Sequence, residues 1–394
     1  MSKKTKVLFY NGSLRMGGIE RILTEVLRNI DRKKIDIDLI IEDGIRSLNI
    51  FEKDIPQDIK IYYLKSEEII KRTDYYRQKR KNIFFKIIYN LMMNYEGYLK
   101  KKNLKKIVKS NKYDVVIDFD MGLSKYIDLI ESNKKIAWVH SSIENWYQKK
   151  SRINRLGKRL EKYDKIVTIC DEMKKNTIKL YPFLEKKILR IYNPFNFERI
   201  LKNAEEYYLD KEIVKENFAV SVMRLTENSK DFDTLIKAWE ILKEKNISLK
   251  LYILGEGIDK KNIENKIKLA NQEDNIILLG NIKNPYPWIK SSKMLIHSSK
   301  FEGLPTVLIE ALILNKIVIS SNCISGPKEI LENGEIGYLY EVGDYKKLAD
   351  LVINNLKESQ LNIELLNERI KKYKKENIIK EYEKLIRGED LNVI

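Results

Sequence analysis

Cysteine and histidine are nearly absent. Only Cys170 and Cys323, far apart, and two histidines occur in 394 residues. That excludes a disulfide-framed fold, leaves no Cys/His set at metal-ligand spacing, and leads us to expect a reducing compartment. No apolar run approaches the roughly 20 residues a membrane helix needs. The N-terminus, MSKKTKVLFYNGS, carries an apolar run too short for a secretory leader and is read as a first strand. No repeat at solenoid spacing is visible. Acids are the minority: 57 Asp and Glu stand against 75 Lys and Arg, a net charge of +18.

The basic excess is clustered. Between Lys71 and Lys112 there are fourteen Lys or Arg and two acids, Asp74 and Glu96. Phe84, Ile87, Ile88, Leu91, Tyr95, Tyr98 and Leu99 fall on one helical stripe in this segment, surrounded by Lys86, Lys100, Lys101, Lys105, Lys106 and Lys109. Such a helix can lie on an anionic bilayer surface, or pack its stripe on a sheet with the lysines solvated. Nucleic acid is not expected as a partner, because no recognition motif accompanies the charge.

The length fits two domains. Strand-like runs alternate with helical patterns: Lys6–Tyr10, Asp36–Ile41, Lys60–Leu64, Asp114–Asp118, Lys135–Val139, Lys165–Cys170 and Ile188–Tyr192. After a break at Asn193-Pro194 a second series follows: Phe218–Met223, Leu249–Leu254, Asn275–Leu279, Lys293–His297, Ile317–Ser320 and Gly337–Tyr340. This is an α/β chain of two doubly wound, Rossmann-like domains, 1–194 and 195–372, with the basic insertion 71–112 in the first. A closing helix, 373–394, can pack back on the first domain. Two such domains joined by a hinge imply a ligand cleft between them.

Chemistry is expected where polar residues follow strand ends. The stretch FEGLPTVLIEAL, Phe301–Leu312, sets Glu302 and Glu310 on either side of a Gly-Leu-Pro-Thr turn that opens a helix. Free N–H groups there attract phosphate, and a carboxylate at each end can hold hydroxyls flanking it, which describes a nucleotide sugar. Taken alone, the stretch also fits an ordinary amphipathic helix behind a loop. Gly17-Gly18 lies between the first strand and helix, where backbone can approach a ligand. Arg224 and Lys230 follow the first strand of the second series and can jointly neutralise a diphosphate. His140 ends a strand and can donate to phosphate or sugar, whereas His297 is read as packing. Asp118-Phe119-Asp120 forms D-x-D but is read as structural or acceptor-lining.

Collectively these pieces resemble the retaining glycosyltransferases of family 4 (glycosyl transferases group 1), with the GT-B architecture. The matching segments run in order: SLRMGGIER, the histidine of AWVHSS, Asn193-Pro194, Arg224 with Lys230, LGEG, the Glu302-x7-Glu310 stretch, and SGPKEIL at Ser325–Leu331 followed by GEIGYLY. Asp231 departs from the Gly often found there. The resemblance implies a metal-independent sugar transfer with no cofactor beyond a nucleotide-sugar co-substrate, uridine being the expected base. Arg224 and Lys230 would bind the diphosphate. Backbone from Gly303 through Leu304, Pro305 and Thr306 to Val307 would contact sugar and phosphate. Glu302 would hold donor-sugar hydroxyls, Glu310 the ribose, Ile282 the base, and His140 the sugar or phosphate, with Gly17 and Gly18 closing over the diphosphate. The acceptor is expected to be a lipid-linked or surface-polysaccharide precursor, the location cytoplasmic and peripheral on the membrane. The alternatives are a nucleotide-sugar epimerase of the same fold and a non-catalytic binding subunit.

Overall fold

The computed structural model describes residues 4–147, 149–207, 209–357 and 361–390. The chain divides into two units: Met1–Ile169, Lys174–Phe195 and Lys375–Ile394 form the first, Cys170–Met173 and Asn196–Lys374 the second.

The first unit is built on seven parallel strands, β1 (Thr5–Asn11), β2 (Ile35–Ile41), β3 (Lys60–Tyr63), β4 (Tyr113–Asp118), β5 (Ser132–Val139), β6 (Lys165–Thr168) and β7 (Ile188–Arg190), in the order β3-β2-β1-β4-β5-β6-β7. The central strands are apolar without alternation because helices cover both faces; Val7, Leu8, Phe9 and Tyr10 are all buried. The chain steps from β1 outward to β2 and later returns beside β1 as β4. That topological switch brings the loops after β1 and β4 to the same carboxyl edge. Two hydrogen bonds fasten them: Phe119 N–H to Tyr10 O at 2.9 Å and Gly12 N–H to Asp120 Oδ2 at 2.7 Å. The helix Lys375–Arg387 belongs to this unit, where Tyr382 stacks on Trp138 of β5 at 4.5 Å.

The basic segment forms two helices, Glu67–Gln78 and Ile83–Ser110. The longer one attaches by an unexpected face. Glu96, Lys100, Leu104 and Ile107 are buried, while Phe84, Ile87, Leu91, Tyr95 and Tyr98 of the apolar stripe stand in solvent. Lys100 therefore does not belong with the solvated lysines. Its Nζ donates to Tyr10 Oη and Gly122 O, both at 3.0 Å, and pairs with Glu42. Lys65 bridges Glu42 and Glu96 at 2.6 and 2.8 Å. A lysine inside a lysine run can be buried because Glu42, Tyr10 and the Gly122 carbonyl meet it.

The second unit repeats the plan with six parallel strands, β8 (Phe218–Val222), β9 (Lys250–Leu254), β10 (Ile276–Gly280), β11 (Met294–His297), β12 (Ile317–Ser321) and β13 (Tyr338–Tyr340), in the order β10-β9-β8-β11-β12-β13. Its switch lies between β8 and β11. The loops that follow these strands are laced together by a Lys230–Ser299 bridge, by Asp231 N–H to Ser298 O at 3.2 Å, and by Lys300 N–H to Ser229 O at 2.8 Å. Asp231 caps the helix Phe232–Glu244, accepting from Thr234 N–H and Oγ1. The residue that departs from the family habit thus does a capping task. Among the described residues no helix is long and apolar enough to cross a membrane.

Candidate functional site

The carboxyl edge of the second sheet gathers a connected set of polar side chains. β11 ends in His297, and the chain turns through Ser298, Ser299, Lys300 and Phe301 before Glu302. Because the β8 loop is pinned alongside, Lys230 reaches Glu302 across 72 residues of sequence and forms an ion pair with its Oε1. Lys230 Nζ also donates to Ser299 Oγ at 3.0 Å. Ser299 Oγ donates to Glu302 Oε1 at 2.8 Å, and His297 Nε2 lies 3.1 Å from the same oxygen. All these contacts fall on Oε1. No protein donor reaches Oε2 among the described residues, and the side chain stays 18% exposed. Burial alone would raise the Glu302 pKa, but Lys230 and His297 outweigh it and hold the carboxyl well below the usual range. It is a fixed carboxylate with one oxygen left to accept hydroxyls.

After Glu302 the chain passes Gly303 and Leu304, and Pro305 stands at the N-cap of the helix Thr306–Ile313, one position before the first helical turn. Gly326, with φ of +99°, lies beneath this turn: a Cβ there would meet Gly303 O at 2.8 Å and Pro305 Cδ at 2.6 Å. Only glycine fits both the left-handed backbone and that gap. The sequence singled out SGPKEIL without assigning Gly326 a task. Glu310 is buried in the same helix and accepts a hydrogen bond from Tyr286 Oη at 3.3 Å.

Arg224 follows β8 and is exposed; its guanidinium makes no hydrogen bond or ion pair among the described residues. It is a free cation on the edge that holds Lys230. The LGEG glycines let one loop pack on another. A Cβ on Gly255 would meet Met223 O at 1.9 Å, and one on Gly257 would meet Leu225 O at 2.0 Å, so both let the β9 loop close on the β8 loop that carries Arg224. Ile282, half-buried, follows β10 on the same edge.

Gly17, Gly18 and His140 belong to the first unit. Gly17 is the N-cap of the helix Gly18–Asn29, and the Glu20 carboxylate folds back over it. Ser13 Oγ holds Glu20 Oε1 at 2.9 Å, and a Cβ on Gly17 would meet Glu20 Oε2 at 2.2 Å. Gly18 has open space about it. His140 follows β5, its ring 4.6 Å from that of Phe119, and its buried Nε2 has no partner among the described residues. Burial pushes its pKa down to about 3, against a weaker upward pull from the Phe119 backbone, so the ring is neutral at physiological pH. The D-x-D carboxylates are committed internally. Asp118 accepts from Leu123 N–H and Tyr163 Oη, and Asp120 from Gly12 and Gly122 N–H. Sequence reasoning missed His297 as a polar partner. The signal was available in the run His-Ser-Ser at a strand's carboxyl end.

Comparison with known proteins identifies the family and the fold. Residues 16–199 match the family model described as Glycosyltransferase Family 4, and residues 208–377 the one described as Glycosyl transferases group 1. An uncharacterized glycosyltransferase of Methanocaldococcus jannaschii is 30% identical over 332 residues, covering 72% of this chain and 81% of that one. A poly(ribitol-phosphate) alpha-N-acetylglucosaminyltransferase of Staphylococcus aureus is 26% identical over 291 residues, 71% of this chain and 56% of that one. Over a shorter span of 176 residues, 45% of this chain and 46% of the relative, identity is 34% to the N-acetylgalactosamine-N,N'-diacetylbacillosaminyl-diphospho-undecaprenol 4-alpha-N-acetylgalactosaminyltransferase of Campylobacter jejuni. Among solved structures, Anabaena HepE in complex with UDP superimposes with a TM-score of 0.76 at 14% identity, covering 98% of this chain and 100% of that one, which shows the fold. The chain belongs to the group 1, family 4 glycosyltransferases and has their two-domain α/β GT-B fold.

Proposed function

We propose that this glycosyltransferase moves a sugar, with retention of configuration, from a UDP-sugar onto a lipid-linked or polysaccharide-precursor acceptor. The observation that carries the reading is the Lys230–Glu302 pair, with Arg224, which has no partner among the described residues, on the same sheet edge. It places two cations and a half-open carboxylate on one sheet edge, next to the turn that opens the helix Thr306–Ile313. In this reading the bond from the sugar's anomeric carbon to the phosphate oxygen breaks with its electrons passing to the diphosphate. Arg224 and Lys230 stabilise that growing negative charge. Glu302 Oε2 holds hydroxyls of the sugar while positive character builds on its ring. The acceptor oxygen bonds to the face the phosphate leaves, and its proton passes to the departing phosphate. Glu310 with Tyr286 takes the ribose and Ile282 the base; His140, neutral and with Nε2 lacking a partner among the described residues, is assigned to a sugar or phosphate oxygen. The two cations supply the charge a metal would otherwise bring.

HepE was solved with UDP, and the Campylobacter relative's name specifies a diphospho-undecaprenol acceptor; both support the proposed substrates. We further place the transferase at an anionic membrane surface. The support is the solvent-facing stripe of the helix Ile83–Ser110, within the basic segment 71–112 whose lysines and arginines other than the buried Lys100 remain for headgroups. A second copy of the same stripe would bring like charges together, whereas acidic headgroups would neutralise them.

Glu302→Ala, Arg224→Ala and Lys230→Ala, assayed for transfer and slow hydrolysis with a panel of nucleotide sugars, test the site. Each is expected to lose activity by about a hundredfold or more. Full activity in all three removes the assignment. A product isomerised without acceptor would instead identify an epimerase.

A further inference from the structure

His297 lies behind Glu302, and its surroundings determine its proton. The ring is buried, and burial with the nearby Lys230 charge lowers its pKa despite Glu302, so it carries one N–H. Nε2 lies 3.1 Å from Glu302 Oε1 and 3.1 Å from Ser299 Oγ. An ionised carboxylate can only accept, so a lone pair on Nε2 would face lone pairs; the proton belongs on Nε2. Nδ1 is then the acceptor, and the Ser320 hydroxyl stands 3.0 Å from it at the end of β12. Ser320 also lies 3.1 Å from Ser321 O and can turn its proton to either. The chain of donors runs Ser320 to His297 to Glu302.

This arrangement matters because the other strong donor to Oε1 is due elsewhere. Resting on the reading above, Lys230 is to serve the diphosphate, yet it is also the ion-pair partner of Glu302. When phosphate draws Lys230 away, Glu302 loses its only cation among the described residues. Without another fixed donor the carboxylate would be free to turn or take up a proton.

We propose that His297 is a positioning residue that, with Ser299, holds Glu302 Oε1 throughout donor binding, so that Oε2 meets the sugar while Lys230 moves to the diphosphate. His297 touches neither sugar nor nucleotide in this scheme and acts only through Glu302.

Two measurements on the full-length chain test it. In long-range 1H–15N spectra, taken with and without UDP, the chain's two histidines are separated by the loss of one signal in His297→Gln. The expected ring is neutral and protonated on Nε2 in both states. An Nδ1-protonated ring in either state overturns the proposal. For kinetics, UDP-glucose, UDP-galactose, UDP-N-acetylglucosamine and UDP-N-acetylgalactosamine are screened, and the one the wild type hydrolyses fastest is used. His297→Leu should lower kcat by about ten- to a hundredfold, the scale of a misplaced reacting group, with the Kd for UDP within about twofold. Gln, whose amide reaches the Nε2 position, should recover to within about threefold of wild type. Wild-type turnover in His297→Leu overturns the proposal, as does a Gln variant no better than Leu, or a parallel loss of UDP binding. If Glu302→Gln itself keeps full turnover, the underlying site assignment has failed instead.

Discussion

Glu302 and Glu310 stand eight positions apart and yet hold different environments. Glu302 is fixed by Lys230, Ser299 and His297 through a single oxygen. Glu310 is buried in the following helix beside Tyr286. Under the proposed function the first serves the sugar and the second the ribose. Glu310→Gln is expected to weaken UDP binding by about tenfold, the loss of one charge-assisted hydrogen bond. Glu302→Gln should leave the Kd for UDP near wild type and depress transfer. Calorimetry with UDP beside a turnover assay decides it; equal loss of UDP affinity in both variants ends the division of labour. A second residue-scale prediction concerns acid. Burial would raise Glu42, but Lys100 and Lys65 bring it from 4.5 down to about 2. A depressed carboxylate stabilises the fold above its unfolded pKa and loses that contribution as pH falls through the folded one. Between pH 5 and 2 the pair should therefore forfeit about 3 kcal/mol. Denaturant titrations at fixed pH should show that loss in the wild type. Glu42→Gln should be destabilised at pH 7 by about 3 kcal/mol, with Lys100 left buried and unpaired, and should have a flatter acid limb.

At the scale of elements, the strands were legible because each is a short apolar run ended by glycine or polar residues, and sheets covered on both faces need no alternation. The helix of the E-x7-E stretch was legible because an apolar run follows Gly-Leu-Pro, whereas its chemistry needed the neighbouring motifs. What could not be read were pairings made by topology. Nothing local to Lys230 points to Glu302, since their meeting depends on β8 and β11 being neighbours. Nothing local to Lys100 separates it from Lys101, since its burial depends on Glu42 arriving from β2. The same helix shows the opposite outcome for its stripe, where the periodicity was plain but the face it covers was not. Phe84 and Leu91 are each 62% exposed. If this face docks on lipid, Phe84→Ser with Leu91→Ser should abolish flotation with vesicles containing phosphatidylglycerol. Lys101→Gln, Lys105→Gln and Lys106→Gln should weaken it and reduce its salt sensitivity; each lysine near the surface contributes about 1 kcal/mol. Lys100 must stay, because removing it would unseat the helix. A wild-type chain that fails to float, or floats equally on neutral lipid, rules the surface out.

At the scale of the whole molecule, the first unit is not finished until the chain's last helix arrives. Lys375–Arg387 buries Ile378, Ile379, Tyr382, Leu385 and Ile386, and Tyr382 stacks on Trp138. Lys134 Nζ donates to Leu385 O at 2.6 Å, Asp31 N–H to Glu383 at 2.8 Å, and Lys375 N–H to Phe195 O at 3.0 Å. Five large side chains at about 1.5–3 kcal/mol each amount to roughly 10 kcal/mol of gross burial. That is comparable with the entire net stability of a typical domain, about 5–15 kcal/mol. A fragment of residues 4–195 should therefore show no cooperative unfolding, and the same fragment joined to residues 373–390 by a flexible linker should recover it. In the full chain Tyr382→Ala should cost the first unit about 3–5 kcal/mol, as aromatic truncations in a core do. It should lower the first unit's transition while leaving the second unit's transition in place, since none of the helix's partners named here lies there. Trp138 reports on the change directly, because its indole loses the stacked ring. If the truncated fragment melts cooperatively at the full chain's temperature, the closing helix is an accessory to the first unit and not part of its core.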